Sequence, residues 1–507
     1  MRIFQKLAFP IVFISLIFVG YSLIINGMIE GQGGHDTFQY IEFSSLLFTE
    51  NPYVYFYRPT LYFFINILNS FIGWKPYSLT VLLALSNFFS GIIFYLITGF
   101  FSKNFVLRVV FSFMLIFSFY ITKAVHYSNY VFALELVFIL SFVYFLLKAH
   151  KKNNLFFVIM AGFMMFLGTH VHEDKFIFFF IFCFLFFFIN KIKSIQIFST
   201  FLILTFFAAL YFGFFQVIEN IIGLTGAIAD NWGGSRFSVI SNLFVVVDHT
   251  LITLFNPIIT QVIYIIALIK IYNLKIKSLF ELNLNKAIFL SCTLYFVLMV
   301  IFFNQIKMPR VLGPVAVLYL FFVLNSFDYM LERSSKFVSG LIYIFLFFIN
   351  LSSIYSTSLF LKRDVYPNKY TEVYNYILKD NNKTENTENL NKKILQLSSY
   401  ENRTGMWGGL SDAYGLQSNV YFGDNARNIN SLLHQKNSEI EIISDLQKYD
   451  YIIYAPNNKI KNQPKQFLDL EAKILAKVNK KRKKIITSKN QVVILKKKIS
   501  IIQENVN

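Results

Sequence analysis

Charge is what this sequence has least of. Only 15% of its 507 residues are Asp, Glu, Lys or Arg, where a soluble protein of this size carries roughly a quarter. That shortage excludes the ordinary cytosolic enzyme. Cysteine is nearly absent as well. Cys183 and Cys292 are the only two, and both stand inside apolar runs, so neither a disulfide framework nor a cysteine-based metal centre is implied. A cleavage signal is also missing. Met1-Arg2 and Lys6 make a basic start, but the Gly20–Asn26 flank has no A-x-A-like site and the first apolar run is long. A retained anchor is expected rather than a signal peptide.

What fills the sequence instead is apolar. Hydrophobic residues make up 55% of it, with 63 Phe, and the mean hydropathy is +0.52. The net charge of +19 is a property shared by nucleic-acid and membrane-surface proteins, and its position decides between them. Residues 1–361 hold 22 basic against 13 acidic residues, and residues 362–507 hold 25 against 15. The chain is an apolar body, 1–361, followed by a polar tail, 362–507. No nucleic-acid partner is expected; membrane lipids are.

Stretches of about 20 apolar residues are long enough to cross a bilayer as helices. Eleven are expected, at 8–27, 77–100, 105–122, 129–147, 155–170, 176–190, 196–217, 244–269, 287–304, 311–327 and 337–358. With a cytoplasmic N-terminus, fifteen basic residues gather inside, among them Lys103, Arg108, Lys148, Lys151, Lys152 and Lys336. Seven fall outside: Arg58, Lys75, Lys123, Lys175, Arg236, Lys307 and Arg310. This bias sets the orientation and places everything after residue 360 outside the cytoplasm. The outer face then carries the loops 29–75, 168–176, 218–243 and 304–310. Within them, Arg58–Gly73 is apolar but short, and reads as an interfacial helix on the outer leaflet. Glu219–Ser241, bearing Trp232 and Arg236, reads as a second one.

The tail alternates short β-rich runs with helical patterns. Strands are expected at Ile394–Ser398, Val420–Phe422, Tyr451–Tyr454 and Gln491–Leu495, and helices at Ala426–His434, Glu439–Lys448 and Pro464–Lys477. Together they predict a small extracytoplasmic α/β domain. Lys480–Lys484 (KKRKK) reads as a solvated basic loop, with a polybasic lipid anchor as the other reading. Trp407–Asp412 is a turn-rich loop.

Three outer segments hold the candidate chemistry. The first runs Gly31-Gln32-Gly33-Gly34-His35-Asp36 through Tyr40 and on to Tyr57-Arg58-Pro59. Glycines free its backbone at the membrane surface; a capping or solvated role for Asp36 is the competing reading. The second is Gly168-Thr169-His170-Val171-His172-Glu173-Asp174-Lys175. Ionisable groups crowded at a membrane boundary are costly unless they face water or one another. They are equally readable as a hydrophilic turn. His170, His172, Glu173 and Asp174 also allow a divalent metal, without a matching ligand set elsewhere. The third is Asn304–Arg310, where Lys307 and Arg310 oppose the topology preference and suggest an anionic partner such as a phosphate, with snorkelling the alternative.

In order and in sidedness these patches resemble the integral-membrane GT-C glycosyltransferases, in the branch of protein O-mannosyltransferases and aminoarabinose lipid A transferases. The resemblance rests on Asp36, Tyr40, Asn51-Pro52, Tyr57 and Arg58-Pro59-Thr60-Leu61. It continues through Ala161-Gly162 to Glu173, and in Pro309-Arg310-Val311-Leu312-Gly313-Pro314. It departs from the family pattern in the single Asp36 where relatives carry paired acids, and in Val311 after Arg310. The W-W-D-Y-G motif of oligosaccharyltransferases is absent.

The resemblance implies a helical polytopic membrane fold and transfer of a sugar from a polyprenyl-phosphate donor to a lipid, glycan or protein acceptor, with inversion. In that reading Asp36 is the catalytic base. Arg58, Lys307 and Arg310 hold the phosphate, and His35, Tyr40, Tyr57, His172, Glu173, Asp174 and Lys175 bind substrate. No cofactor is assigned. A transporter or flippase of lipid-linked glycans is the alternative, with Glu135 as the main charge inside a span; an O-antigen polymerase is another.

Overall fold

In a computed structural model, the residues described in the body are 58–72, 78–117, 131–172, 175–190, 194–222, 283–302, 314–315 and 317–363, with the single positions 15, 40 and 44. In the tail they are 376–377, 379–380, 393–397, 426–428, 439–454, 465–478, 482–486 and 493–497. The body is helical: α1 (Pro59–Ile72), α2 (Ser78–Thr98), α3 (Phe105–Ile116), α4 (Phe132–Lys152) and α5 (Leu155–Thr169). Then follow α6 (Lys175–Asn190), α7 (Ser194–Ile222), α8 (Asn283–Phe302), α9 (Tyr319–Arg333) and α10 (Lys336–Arg363). Helices α2 to α10 stand where nine of the expected spans do. The stretches 8–27 and 244–269, and the Glu219–Ser241 segment beyond Ile222, lie outside the described residues. On length and composition alone, α2 (over Val81–Thr98) and α4 suffice to cross a membrane; α3, α5 and α6 are apolar but shorter.

Helix ends follow from local sequence. The side chain of Asn104 accepts from Leu107 N (3.3 Å) and starts α3, and that of Asn154 accepts from Phe156 N (2.9 Å) and starts α5. Asn153 ends α4 in the left-handed region, φ 51°, after His150, Lys151 and Lys152 in the last turn. Asn tolerates that conformation, and the cations complement the helix dipole. The span expected at 311–327 is helical at 314–315, passes through a turn at 317–318, and continues as α9 to Arg333, beyond the expected end. Tyr319 is held there by Thr293 (3.0 Å) and by ring contacts to Phe289 and Phe296.

Pairwise contacts give each helix its direction. Asn87 donates to Ile116 O (3.2 Å) and Ser90 to Ala133 O (3.4 Å), while Phe100 meets Tyr144. Helix α2 therefore runs antiparallel to α3 and parallel to α4. Phe166 meets Phe207 and His170 meets Tyr211, so α5 and α7 are parallel. Phe289 meets Phe322 and Phe296 meets Tyr319, so α8 and α9 are antiparallel. Near the start of α10, Tyr343 accepts from Asn104 at the entry to α3.

One end of the bundle accordingly gathers Lys103, Arg108, Lys148, Lys151, Lys152, Lys286, Arg333 and Lys336. The opposite end, called here the loop end, gathers the start of α4, the α5–α6 turn, the ends of α7 and α8, and the start of α9. Around the bundle, Phe184, Phe188, Phe198, Leu202, Phe206, Phe337, Phe347 and Phe348 are exposed. An apolar exterior suits hydrocarbon, not water.

The tail holds a five-stranded sheet in the order β2-β1-β3-β5-β4, built from β1 (Ile394–Gln396), β2 (Ala426–Asn428), β3 (Tyr451–Tyr454), β4 (Arg482–Ile486) and β5 (Val493–Lys497). Strands β2, β1 and β3 are parallel; β3, β5 and β4 are antiparallel. Helices α11 (Glu439–Ser444, continued by a 3-10 turn to Lys448) and α12 (Lys465–Val478) accompany it. Leu395, Ile442, Leu446, Ile452, Leu470, Ile474, Val493 and Leu495 form its core. Central β3 is buried along its whole length, as a strand covered on both faces must be.

Two expectations are corrected here. Ala426 opens a strand, not a helix, because Ala426–Asn428 pairs in parallel with β1; 429–434 and Val420–Phe422 lie outside the described residues. The KKRKK run is not a loop from Arg482 onward. Arg482 is buried and donates to Leu446 O (2.8 Å), Tyr449 O (2.7 Å) and Asp450 O (3.1 Å). Burial lowers its pKa, and the Asp450 carboxylate opposes that shift. The arginine thus ties edge strand β4 to the turn at 446–450 through three backbone carbonyls.

By contacts the chain divides into two units. The first is Met1–Met28, Leu46–Ile65 and Thr80–Asp364; the second is Ile29–Ser45, Asn66–Leu79 and Val365–Asn507.

Candidate functional site at the loop end

Within the first unit, Phe138 of α4 organises the loop end. Its ring meets Phe64 of α1 (6.1 Å between centroids). Its Cβ lies 3.0 Å from where a side chain on Gly168 would begin, and Phe179 of α6 crowds the same point at 3.0 Å. Gly168 thus lets α4, α5 and α6 close on one another, a role small residues fill in membrane bundles. Gly162 does the same against α7, where a Cβ would stand 2.5 Å from the Phe207 ring.

The α5–α6 turn hangs from this clamp. Thr169 donates to Met165 O (2.8 Å), and His170 Nδ1 lies 2.8 Å from Phe166 O, so that nitrogen carries the proton. The His170 ring packs on Phe166 (4.3 Å) and Tyr211 (4.7 Å) and is buried. His172 N donates to Gly168 O (3.1 Å), and Lys175 N to His172 O (3.2 Å). Lys175 is then the first residue of α6, where its ammonium lies 3.3 Å from Glu135 of α4, both side chains almost wholly buried (1% and 2% exposed). Glu135 stands in the first turn of α4, where the helix dipole favours a carboxylate.

Arg58 precedes α1 and is buried; its carbonyl accepts from Tyr62 N (3.1 Å). Helix α1 is not simply laid on a surface. Leu61, Tyr62 and Ile65 are fully buried, while Phe63, Ile67 and Phe71 form an exposed apolar stripe. In the second unit, Tyr40 and Ser44 are helical and buried, one turn apart, and Asn66 donates to Ser44 O (3.1 Å).

Of the sequence candidates, the structure brings His172 and Lys175 into one turn and puts α1, which follows Arg58, against α4 beside it. His35, Asp36, Tyr57, Glu173, Asp174, Lys307 and Arg310 lie outside the described residues. Among the described residues there is no group of three or more His, Cys, Asp or Glu side chains arranged to hold a metal. Sequence reading missed the pairing of Glu135 with Lys175, forty positions on. The available signal was that Glu135 is an isolated charge in an apolar helix.

An apolar-faced helical bundle with polar turns gathered at one end defines a polytopic membrane protein. Its fold is similar to that of solved structures over almost the whole chain. The crystal structure of ArnT from Cupriavidus metallidurans in the apo state matches over 97% of this chain and 98% of that one, with a TM-score of 0.57 at 9% identity. The crystal structure of ArnT from Cupriavidus metallidurans bound to undecaprenyl phosphate matches over 96% and 98%, with a TM-score of 0.55 at 9% identity. At that identity the likeness is one of fold. No protein-family model matches the chain, and no curated protein does.

Proposed function

We propose that the protein is a membrane glycosyltransferase that takes a sugar from a polyprenyl-phosphate donor and transfers it to a lipid, glycan or protein acceptor. The observation that carries this reading is the fold shared over almost the whole chain with a structure that binds undecaprenyl phosphate. The charge distribution gives the side. Basic residues crowd the end of the bundle opposite the loop end, and the positive-inside preference makes that end cytoplasmic. The loop end then faces outward across the inner membrane. Tyr40 and Ser44, from the first expected outer loop, share the second unit with the tail, which supports an extracytoplasmic tail domain. About eleven spans complete the body.

Asp36 is the general base in this scheme, taking the proton from the acceptor hydroxyl as that oxygen attacks the anomeric carbon. The sugar–phosphate bond breaks with inversion, and the phosphate leaves as a stable anion, so no general acid is needed. Arg58, Lys307 and Arg310 hold that phosphate, the arginines through forked hydrogen bonds. Tyr40, Tyr57, His35, His172, Glu173, Asp174 and Lys175 shape the sugar and acceptor subsites.

The test is sugar transfer by the purified protein in nanodiscs, offered radiolabelled polyprenyl-phosphate sugars with host membrane lipids as acceptor. A positioned base contributes roughly 10²–10⁴-fold, so Asp36→Asn should lower turnover by that much with unchanged folding. Near-normal turnover of the variant would remove Asp36 from the chemistry. Failure of the wild type to bind or turn over any donor would instead favour a transporter.

A further inference from the structure

We propose that Glu135 is a positioning residue for the transfer reaction, a role that rests on the glycosyltransferase reading above. Its carboxylate holds the Lys175 ammonium and thereby fixes the α5–α6 turn, with His172, at the loop end.

Lys175 stands against its local electrostatics twice. It is fully buried, and it is the first residue of α6, where the dipole disfavours a cation. Glu135 has the opposite preference, being an acid in the first turn of α4. The two N-termini run side by side, since Phe142 of α4 meets Phe179 and Phe182 of α6. One carboxylate therefore offsets an ammonium and a neighbouring helix N-terminus.

Stability alone does not account for the pair. Desolvating two charges costs several kcal/mol per ion, and apolar residues of similar volume are often equally stable or better. Phe138, Phe178 and Phe179 already surround the site with apolar packing. The pair is also imperfect: Oε2 lies 3.3 Å from Nζ yet accepts no well-aligned hydrogen bond among the described residues. What the pair supplies is direction. Lys175 N is bonded to His172 O and His172 N to Gly168 O, so the turn's backbone moves with the lysine. Phe138, one turn from Glu135, and Phe179, one turn from Lys175, both press on Gly168. The ion pair ties α4 to α6, two of the three helices that meet at the glycine clamp.

The full chain in nanodiscs is compared as wild type, Glu135→Gln, Glu135→Asp and the apolar pair Glu135→Leu/Lys175→Met. Thermal midpoint, undecaprenyl phosphate binding and the kcat and KM of sugar transfer are read for each. Misplacement by about 1 Å costs on the order of 10²-fold. Glu135→Gln should therefore lower kcat by about that factor with lipid binding retained, and Glu135→Asp should recover much of it. The apolar pair should melt at or above the wild-type midpoint and still transfer poorly. Wild-type kcat in Glu135→Gln, or in the apolar pair, overturns the positioning role while leaving the glycosyltransferase reading intact. A wild type that neither binds undecaprenyl phosphate nor transfers sugar overturns both.

Discussion

Phe184 in α6 is 60% exposed and Ile486 in β4 is 62% exposed. In the bundle, Phe184 is one of a band of outward aromatic side chains and stacks on Phe188, itself exposed. In the sheet, Ile486 ends an edge strand whose Lys483 and Lys484 are exposed beside it. Equal exposure thus has opposite meaning, because one side chain is read as facing hydrocarbon and the other water. Burial differs less. Both units bury Leu, Ile and Val, and the bundle adds many Phe together with polar residues (Ser90, Asn87, Glu135) where helices meet.

The contrast is broken most sharply by charge. Phe184→Asp should destabilise the membrane-inserted bundle by about 3 kcal/mol, the scale for an acid at the centre of a spanning helix. Ile486→Asp should stay within about 0.5 kcal/mol, as surface changes do. Glycosylation-mapped insertion reads the first and thermal unfolding the second; equal effects would dissolve the distinction between the two surfaces. In the sheet unit, Arg482→Met removes three hydrogen bonds to backbone carbonyls and should cost about 1–3 kcal/mol, the scale of lost buried hydrogen bonding. Hydrogen exchange should show faster exchange confined to β4 and the turn at 445–450, with α4–α6 unchanged.

Within the bundle the same substitution should take opposite signs. Gly168→Ala forces a methyl against Phe138 and Phe179 and should cost about 1–2 kcal/mol, in the range of overpacking. Gly340 in α10 has open space around it, and Gly340→Ala should gain about 0.5–1 kcal/mol from helix propensity. Thermal midpoints in detergent compare the two; matching signs would mean that Gly168 is not a close-packing residue.

Most helices of the bundle were legible because a long apolar run has few alternatives in hydrocarbon. Caps at Asn104, Asn153 and Asn154 were written locally as well. The far end of α9 was not legible, since the apolar run stops at Phe327 while the helix continues through Asp328 to Arg333. In the tail the errors fell on short elements. Ala426–Asn428 lacks β-branched residues and is a strand only because β1 offers parallel pairing. Arg482 sits in a run of lysines, and nothing local distinguishes the one cation that is buried. At the site, His172 and Lys175 were marked by crowding of charge in one turn, whereas Glu135 carried no mark of its partner.

The sequence by itself determined the apolar body, the polar tail, the asymmetry of basic residues and the order of the candidate patches, because each follows from composition and spacing along the chain. Only the tertiary structure decided that Glu135 meets Lys175, that Gly168 admits Phe138 and Phe179, and that Arg482 turns inward. Each of those joins residues more than ten positions apart or selects one among equals, and the energy that selects it exists only once helices or strands have packed.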